Sequence, residues 1–156
     1  MPDSIFPGIS IITPHYNSAE KLCRLIRSIP EKKWLEHIIV DDRSSADPAA
    51  MPEIRAYIET HKVQLYYNET DQKGAGVCRN IGMHHARGEW FLFADADDYF
   101  TDGAFDVIER HLNDDCDIIY FPPASKYDGN GRKSFRHVPY ERLINDYLMS
   151  VERDNE

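Results

Sequence analysis

The sequence predicts an α/β protein built on an open, doubly wound, mostly parallel sheet with helices on both faces. Short apolar runs alternate with longer segments whose apolar residues recur at helical spacing, as repeated strand and helix units require. The runs are bulky and almost continuously apolar, which suits strands covered on both sides. Two of them end abruptly in acids, at the sheet edge where such folds collect ligands.

In order, Ile9 to Thr13 is the first expected strand. Leu22, Cys23, Ile26 and Ile29 then share a helical face, with Asn17 as N-cap, Glu20 at the capping-box position and Pro30 as the stop. His37 to Val40 is the second strand, and Asp47-Pro48 opens a second helix that turns Ile54, Tyr57, Ile58 and His61 inward, with Pro52 disturbing its first turns. Val63 to Tyr67 is the third strand. A helix over about Ala75 to Ala86, stopped by Gly88, leads to a fourth strand at Trp90 to Ala94. A helix from Thr101 to Leu112 buries Phe105, Ile108 and Leu112, and Asp117 to Phe121 is a fifth strand. Pro122 to Pro139 reads as a long loop, and Tyr140, Leu143, Ile144, Tyr147, Leu148 and Val151 repeat at helical spacing almost to Glu156. So amphipathic a final helix calls for more chain to pack against, and truncation is expected there.

A chain of 156 residues with 42% hydrophobic content can bury one core of ordinary size. Acids exceed bases by 27 to 18, a formal net charge of -9, which argues against a nucleic-acid partner while leaving room for a local phosphate pocket. The three cysteines are odd in number and far apart, so reduced thiols are expected. The start of the chain lacks a secretion signal, and no stretch approaches the ~20 apolar residues of a membrane span. A cytoplasmic location follows, compatible with peripheral docking at the inner face of a membrane.

The most informative stretch is Trp90 to Tyr99, where an apolar strand ends in Asp95, Asp97 and Asp98. Residues two apart in extended chain point to one side, so Asp95 and Asp97 can face one ligand while Asp98 faces elsewhere or caps a turn. Mg²⁺ or Mn²⁺ would relieve their repulsion and add diphosphate oxygens to its shell. A solvated acidic turn explains the same residues. At the second acidic end, Asp42 can accept from a base or a ribose hydroxyl, and an Asx-type turn with Ser44 and Ser45 accounts for it equally. Gly74 and Gly76 precede a helix whose start favours negative charge. Close packing explains Gly76 and Gly82 about as well, and Arg79 suits an ion pair with one of the aspartates. His84 and His85 point about 100° apart on a helix and are poorly placed to share a metal. The loop residues Lys126, Arg132, Lys133, Arg136 and His137 suit either a phosphate or plain solvation.

Four ordered segments together resemble family 2 glycosyltransferases of the GT-A fold: Ser10 to Asn17, Ile38 to Asp47, Gly76 to Gly82, and Arg87 to Asp98. The resemblance implies that Pro14 and Tyr16 line the nucleotide base, that Asp42 binds the base edge, and that Gly76 and Arg79 lie along the nucleotide pocket. It implies further that Asp95 approaches ribose and metal and that Asp97 ligates a Mg or Mn cation. The donor in such a family is most often a UDP-sugar, and the acceptor a saccharide or a lipid-linked saccharide, with inversion at the transferred carbon. Arg43 stands where the family commonly has glycine, and Cys78 where it has alanine. Residues 1–121 would form the nucleotide-sugar-binding core, and 122–156 a loop and the start of the acceptor side. The family's general base finds no match among Asp128, Glu141, Asp146 and Glu152, so a fragment that binds nucleotide and metal with poor turnover is expected. A module that binds without turnover, a magnesium phosphohydrolase and a phospho-receiver domain are the alternatives. The last two place their acids after other strands.

Overall fold

The computed structural model describes residues 8–61 and 63–121. Four strands, β1 (Ile9–His15), β2 (Leu35–Asp41), β3 (Val63–Tyr67) and β4 (Trp90–Phe93), form one sheet in the order β3-β2-β1-β4. Every pairing is parallel. Four helices alternate with them: α1 (Ala19–Ser28), α2 (Pro52–Thr60), α3 (Ala75–His85) and α4 (Ala104–Arg110). The expected fold class is the one observed.

Period-two alternation divides the sheet between two helical layers. Ile9, Ile11, Leu35 and Ile39 pack with Leu22, Leu25, Ile54, Phe105 and Ile108, so α1, α2 and α4 cover one face. Ile38 and Val40 pack with Cys78, so α3 covers the other. The chain moves outward from β1 to β3, then returns past its starting point to β4 on the opposite face. A constant crossover handedness requires that change of face. The reversal leaves β1 and β4 adjacent, and a crevice opens beyond their carboxyl ends.

Strands β1 and β2 are longer than their apolar runs because each buries polar residues that find partners across the sheet. Ser10 Oγ donates to Glu36 Oε1 at 2.6 Å, and Arg87 bonds the same carboxylate through its N–H at 2.7 Å and its guanidinium at 2.8 Å. On the other face Thr13 Oγ1 and the Tyr57 hydroxyl bond the two nitrogens of His37 at 2.8 and 3.2 Å. Burial pushes His37 down to about 3, which keeps its ring neutral. No buried side-chain polar atom among the described residues lacks a partner.

Three elements depart from expectation. The N-cap of α1 is Ser18, not Asn17; Asn17 has a left-handed φ of 46° and its carboxamide oxygen accepts from Ser45 instead. The second helix is split: Asp47 caps a short 3-10 turn, Pro48–Ala50, and α2 starts anew at Pro52. Met51 is the cause, since the residue before a proline avoids the helical region, and its ψ is 122°. Residues 117–121 form no strand. An apolar run becomes a strand only through a ladder, and Ile118 is 78% exposed. Helices α3 and α4 lie inside their expected bounds. The chain divides into two units, Met1–Asp114 and Asp115–Glu156, and all the elements above belong to the first. The expected loop at 122–139, the helical pattern after it and the four acids considered as base lie outside the described residues.

Candidate functional site

A cleft of about 270 Å³ lies at the carboxyl ends of β1, β2 and β4. Pro14 and Tyr16 enter it from the end of β1, Asp42 from the end of β2, and Asp95 and Asp97 from the loop after β4. Strand β4 ends at Phe93, so the two acids do not alternate in extended chain as expected; Ala94 and Ala96 are tucked inside at 5% and 6% exposure. Two small apolar side chains thus anchor the loop on either side of Asp95, and Asp97 follows in the turn. A turn then closes, with the Asp98 N–H donating to the Asp95 carbonyl at 2.9 Å. Burial, then the neighbouring Asp95 and Asp97, raise the Asp98 carboxyl above its ordinary range.

The acids are held from opposite faces of the sheet. Arg79 of α3 donates to Asp95 Oδ1 at 2.5 Å, the ion pair that the sequence suggested for it. From α1, the Lys21 ammonium lies 3.7 Å from Asp97 Oδ2, and Arg24 donates to the Asp97 carbonyl while its guanidinium lies 5.1 Å from the Tyr99 ring centroid. The roles of Lys21 and Arg24 have no local sequence signal, because they stand more than 70 positions from their partner.

Asp42 is nearly enclosed. Its two oxygens accept from Asn68 Nδ2 at 2.6 Å and from the Gly74 N–H at 2.8 Å. Burial would raise this carboxyl, but the Asn68 and Gly74 donors, with Lys73 and Arg43 nearby, outweigh it and hold it below the usual carboxylate range. The Cys78 thiol bonds the same carboxylate, whose lone-pair sites still exceed these three donors. Tyr16 is exposed, with the Lys73 ammonium 5.2 Å from its ring centroid. Arg43 has a φ of 61°, the left-handed conformation that a glycine at this position would adopt without strain.

The glycines separate into two roles. A Cβ on Gly82 would lie 2.4 Å from Ile12 Cγ2, so Gly82 sets how closely α3 packs on β1. A Cβ on Gly76 would meet nothing within 4 Å, so packing does not demand that glycine. Gly76 is exposed on the first turn of α3, next to Ala75, which lines the cleft. Cys78 also lines it, and burial, followed by Asp42 and Asp41, pushes its thiol up to about 11, so it is a small packing residue and not a nucleophile.

Behind the cleft lies a network that sequence reasoning missed. His15 and Asp41 are register partners, and His15 Nδ1 is 2.7 Å from Asp41 Oδ1. The Ser18 N–H donates to His15 Nε2 at 3.3 Å, so the ring proton sits on Nδ1 and is donated to Asp41. Ser44 Oγ donates to the same carboxylate at 2.5 Å and accepts from the Asn17 N–H at 2.8 Å. The adjacent acids therefore divide: Asp41 ties the ends of β1 and β2 together, and Asp42 faces the cleft.

The donors suit a hard divalent cation. Asp95 and Asp97 present oxygen ligands with side chains 49% and 60% exposed, and among the described residues no third acid, histidine or cysteine converges with them. Two carboxylates, with the remaining ligands left to phosphate and water, is the arrangement Mg²⁺ and Mn²⁺ favour.

The family model described as Glycosyl transferase family 2 matches residues 10–155. An uncharacterized glycosyltransferase of Haemophilus influenzae is 34% identical over 132 residues, covering 79% of this chain and 41% of that protein. The poly(ribitol-phosphate) beta-N-acetylglucosaminyltransferase TarS of Staphylococcus aureus is 31% identical over 111 residues, covering 65% of this chain and 19% of TarS. Among solved structures, S. aureus TarS 1-349 in complex with UDP-GlcNAc aligns with a TM-score of 0.58 at 28% identity, covering 67% of this chain and 31% of that one. The mannosyltransferase PcManGT from Pyrobaculum calidifontis, in complex with GDP-Man and Mn²⁺, aligns with a TM-score of 0.58 at 27% identity, covering 70% and 33%. The chain thus spans less than half the length of each of these relatives.

Proposed function

The chain belongs to glycosyl transferase family 2, and from that membership we propose that its cleft binds the nucleoside diphosphate of an activated sugar, with a divalent cation between the acids and the pyrophosphate. One observation carries the reading: Asp95 and Asp97 both line the crevice at the end of β1, together with Pro14, Tyr16 and Asp42. In this reading Tyr16 and Pro14 flank the base, Asp42 accepts from its edge, and Arg79 holds Asp95 toward the ribose and the cation. Gly76 leaves open space over the start of α3, where backbone N–H groups favour phosphate. The bound cation would supply charge for the departing diphosphate.

A UDP-sugar is the donor we favour, since two of the TarS structures are complexes, one with UDP-GlcNAc and one with UDP. The acceptor is a saccharide or lipid-linked saccharide, transferred to with inversion, in bacterial surface-polysaccharide assembly. Relatives named for succinoglycan and teichuronic acid biosynthesis support that setting. Work at the cytoplasmic face of a membrane would be by peripheral contact, and among the described residues no helix is long and apolar enough to cross a bilayer. A nucleotide-sugar-binding module without turnover is the second reading.

Titration with UDP and with GDP, each with and without Mn²⁺, tests the proposal. UDP binding should strengthen with Mn²⁺, and Asp97→Ala should remove that gain. Binding indifferent to both nucleotides and to metal would overturn it.

A further inference from the structure

Helix α1 sends two bases, one turn apart, to a single residue of the acidic loop. Lys21 faces the Asp97 carboxylate across 3.7 Å, and Arg24 holds the Asp97 carbonyl. With Arg79 on Asp95, each cleft acid already has a cation supplied by the chain. The two pairs differ in kind. Arg79 to Asp95 is a short contact with the arginine side chain 31% exposed, whereas Lys21 and Asp97 are farther apart and both 60% exposed. A pair of that length and exposure is weak and exchanges readily.

We infer that Lys21 is a resident counter-cation, displaced from Asp97 when a divalent ion binds, whose ammonium then moves onto the diphosphate, so that metal and nucleotide bind with strong positive coupling. The inference rests on the reading of the cleft given above. With metal alone, the ion faces a displaced ammonium a few ångströms away and binds poorly. With nucleotide alone, the ammonium is drawn toward phosphate and leaves Asp97 as a bare carboxylate near another anion. Only when both are bound does every charge have a partner. A lysine suits this exchange, being a compact charge with three donors on a flexible stem, and Lys21 itself lines the cleft. Arg24 keeps the backbone of Asp97 in place through the exchange, because it grips the carbonyl and not the carboxylate.

The test measures Mn²⁺ binding from the electron paramagnetic signal of the free ion, with and without UDP, for the whole chain and for K21Q, K21R and D97N. K21Q should bind Mn²⁺ alone about three- to tenfold more tightly than the parent and UDP with Mn²⁺ about three- to tenfold more weakly. The coupling factor, which must read the same from either ligand, should therefore shrink. K21R should restore most of it. If K21Q leaves the metal affinity and the coupling unchanged while D97N abolishes the response to Mn²⁺, the role of Lys21 is overturned and the reading of the cleft stands. If the parent chain binds UDP without regard to Mn²⁺, or D97N changes nothing, both fall. Lys21 is exposed, so unchanged melting temperatures in the variants confirm that the ratios report on binding.

Discussion

Arg79 Nη2 donates to Asp95 Oδ1 at 2.5 Å, and the same guanidinium lies 6.0 Å from the Phe93 ring centroid. Helix α3 therefore fixes the first acid of the pair against the last residue of its own strand, while α1 fixes the second. The two helices lie on opposite faces of the sheet, so the placing of the two acids depends on both layers.

Replacing Arg79 should separate binding from stability. Arg79→Met removes the partner that orients Asp95 and a positive charge beside the expected diphosphate. UDP affinity in Mn²⁺ should fall about three- to tenfold, and Arg79→Lys should recover part of it without the fork geometry. The pair is half open to solvent, so melting temperature should barely move. Calorimetric titration of both variants checks this, and unaltered affinity would reduce Arg79 to a packing residue.

Glu36 gives the fold an acid limit. It is 1% exposed, and burial alone would raise its carboxyl, yet Ser10 and the Arg87 N–H and guanidinium hold it below its ordinary 4.5. The unfolded chain then takes up a proton at a higher pH than the folded one. The contribution of Glu36 is complete above that ordinary value and is lost as pH falls through the folded one. Glu36→Gln should cost about 2–4 kcal/mol at neutral pH, since it weakens a buried, charged hydrogen-bond cluster. Urea unfolding across a pH series should show the variant's stability declining less steeply than the parent's below about pH 4.5.

Gly82 and Gly76, six positions apart on one helix, should respond oppositely to alanine. At Gly82 the added methyl collides with Ile12, in a strand that cannot yield, and should cost about 1–3 kcal/mol. At Gly76 nothing is within 4 Å, and better helix propensity should leave stability equal or raised by up to about 1 kcal/mol. If Gly76→Ala keeps its stability but weakens UDP binding, the glycine is there for the ligand.

The acids were legible because they directly follow a short apolar strand; the alternation expected of them was not kept, since β4 stops at Phe93 and a turn over residues 95–98 carries Asp97. The four strands were legible as runs of β-branched and aromatic residues. The ends of β1 and β2 were not, because His15, Glu36 and Asp41 are buried by partners across the sheet that no local window contains, whereas β3 runs over Val63–Tyr67 as expected. Asn17 has the side chain of an N-cap, yet Ser44 and Ser45, contributed by the loop after β2, draw its backbone and carboxamide away from that role. Lys21 and Arg24 lie off the apolar face of α1, and only the return of the chain at β4 brings Asp97 to them.

Ser44 offers a test of whether the buried network governs the cleft in front of it. Its hydroxyl donates to Asp41 and accepts from the Asn17 N–H, so Ser44→Ala takes one donor from a carboxylate 2% exposed and leaves the loop before α1 held only by the Ser45 donors on Asn17. Asp41 keeps His15 and the Ser44 N–H, which limits the loss to about 1–2 kcal/mol in chemical unfolding. The loop carrying Asn17 also carries Tyr16, and the loop carrying Ser44 follows Asp42 directly. Loosening their junction should therefore weaken UDP binding, although Ser44 is not among the residues lining the cleft. Affinity lost in proportion to nothing but the unfolded fraction would show that the network supports the fold alone. A deficit that persists in the fully folded variant, measured well below its melting temperature, would show that it also positions the nucleotide pocket.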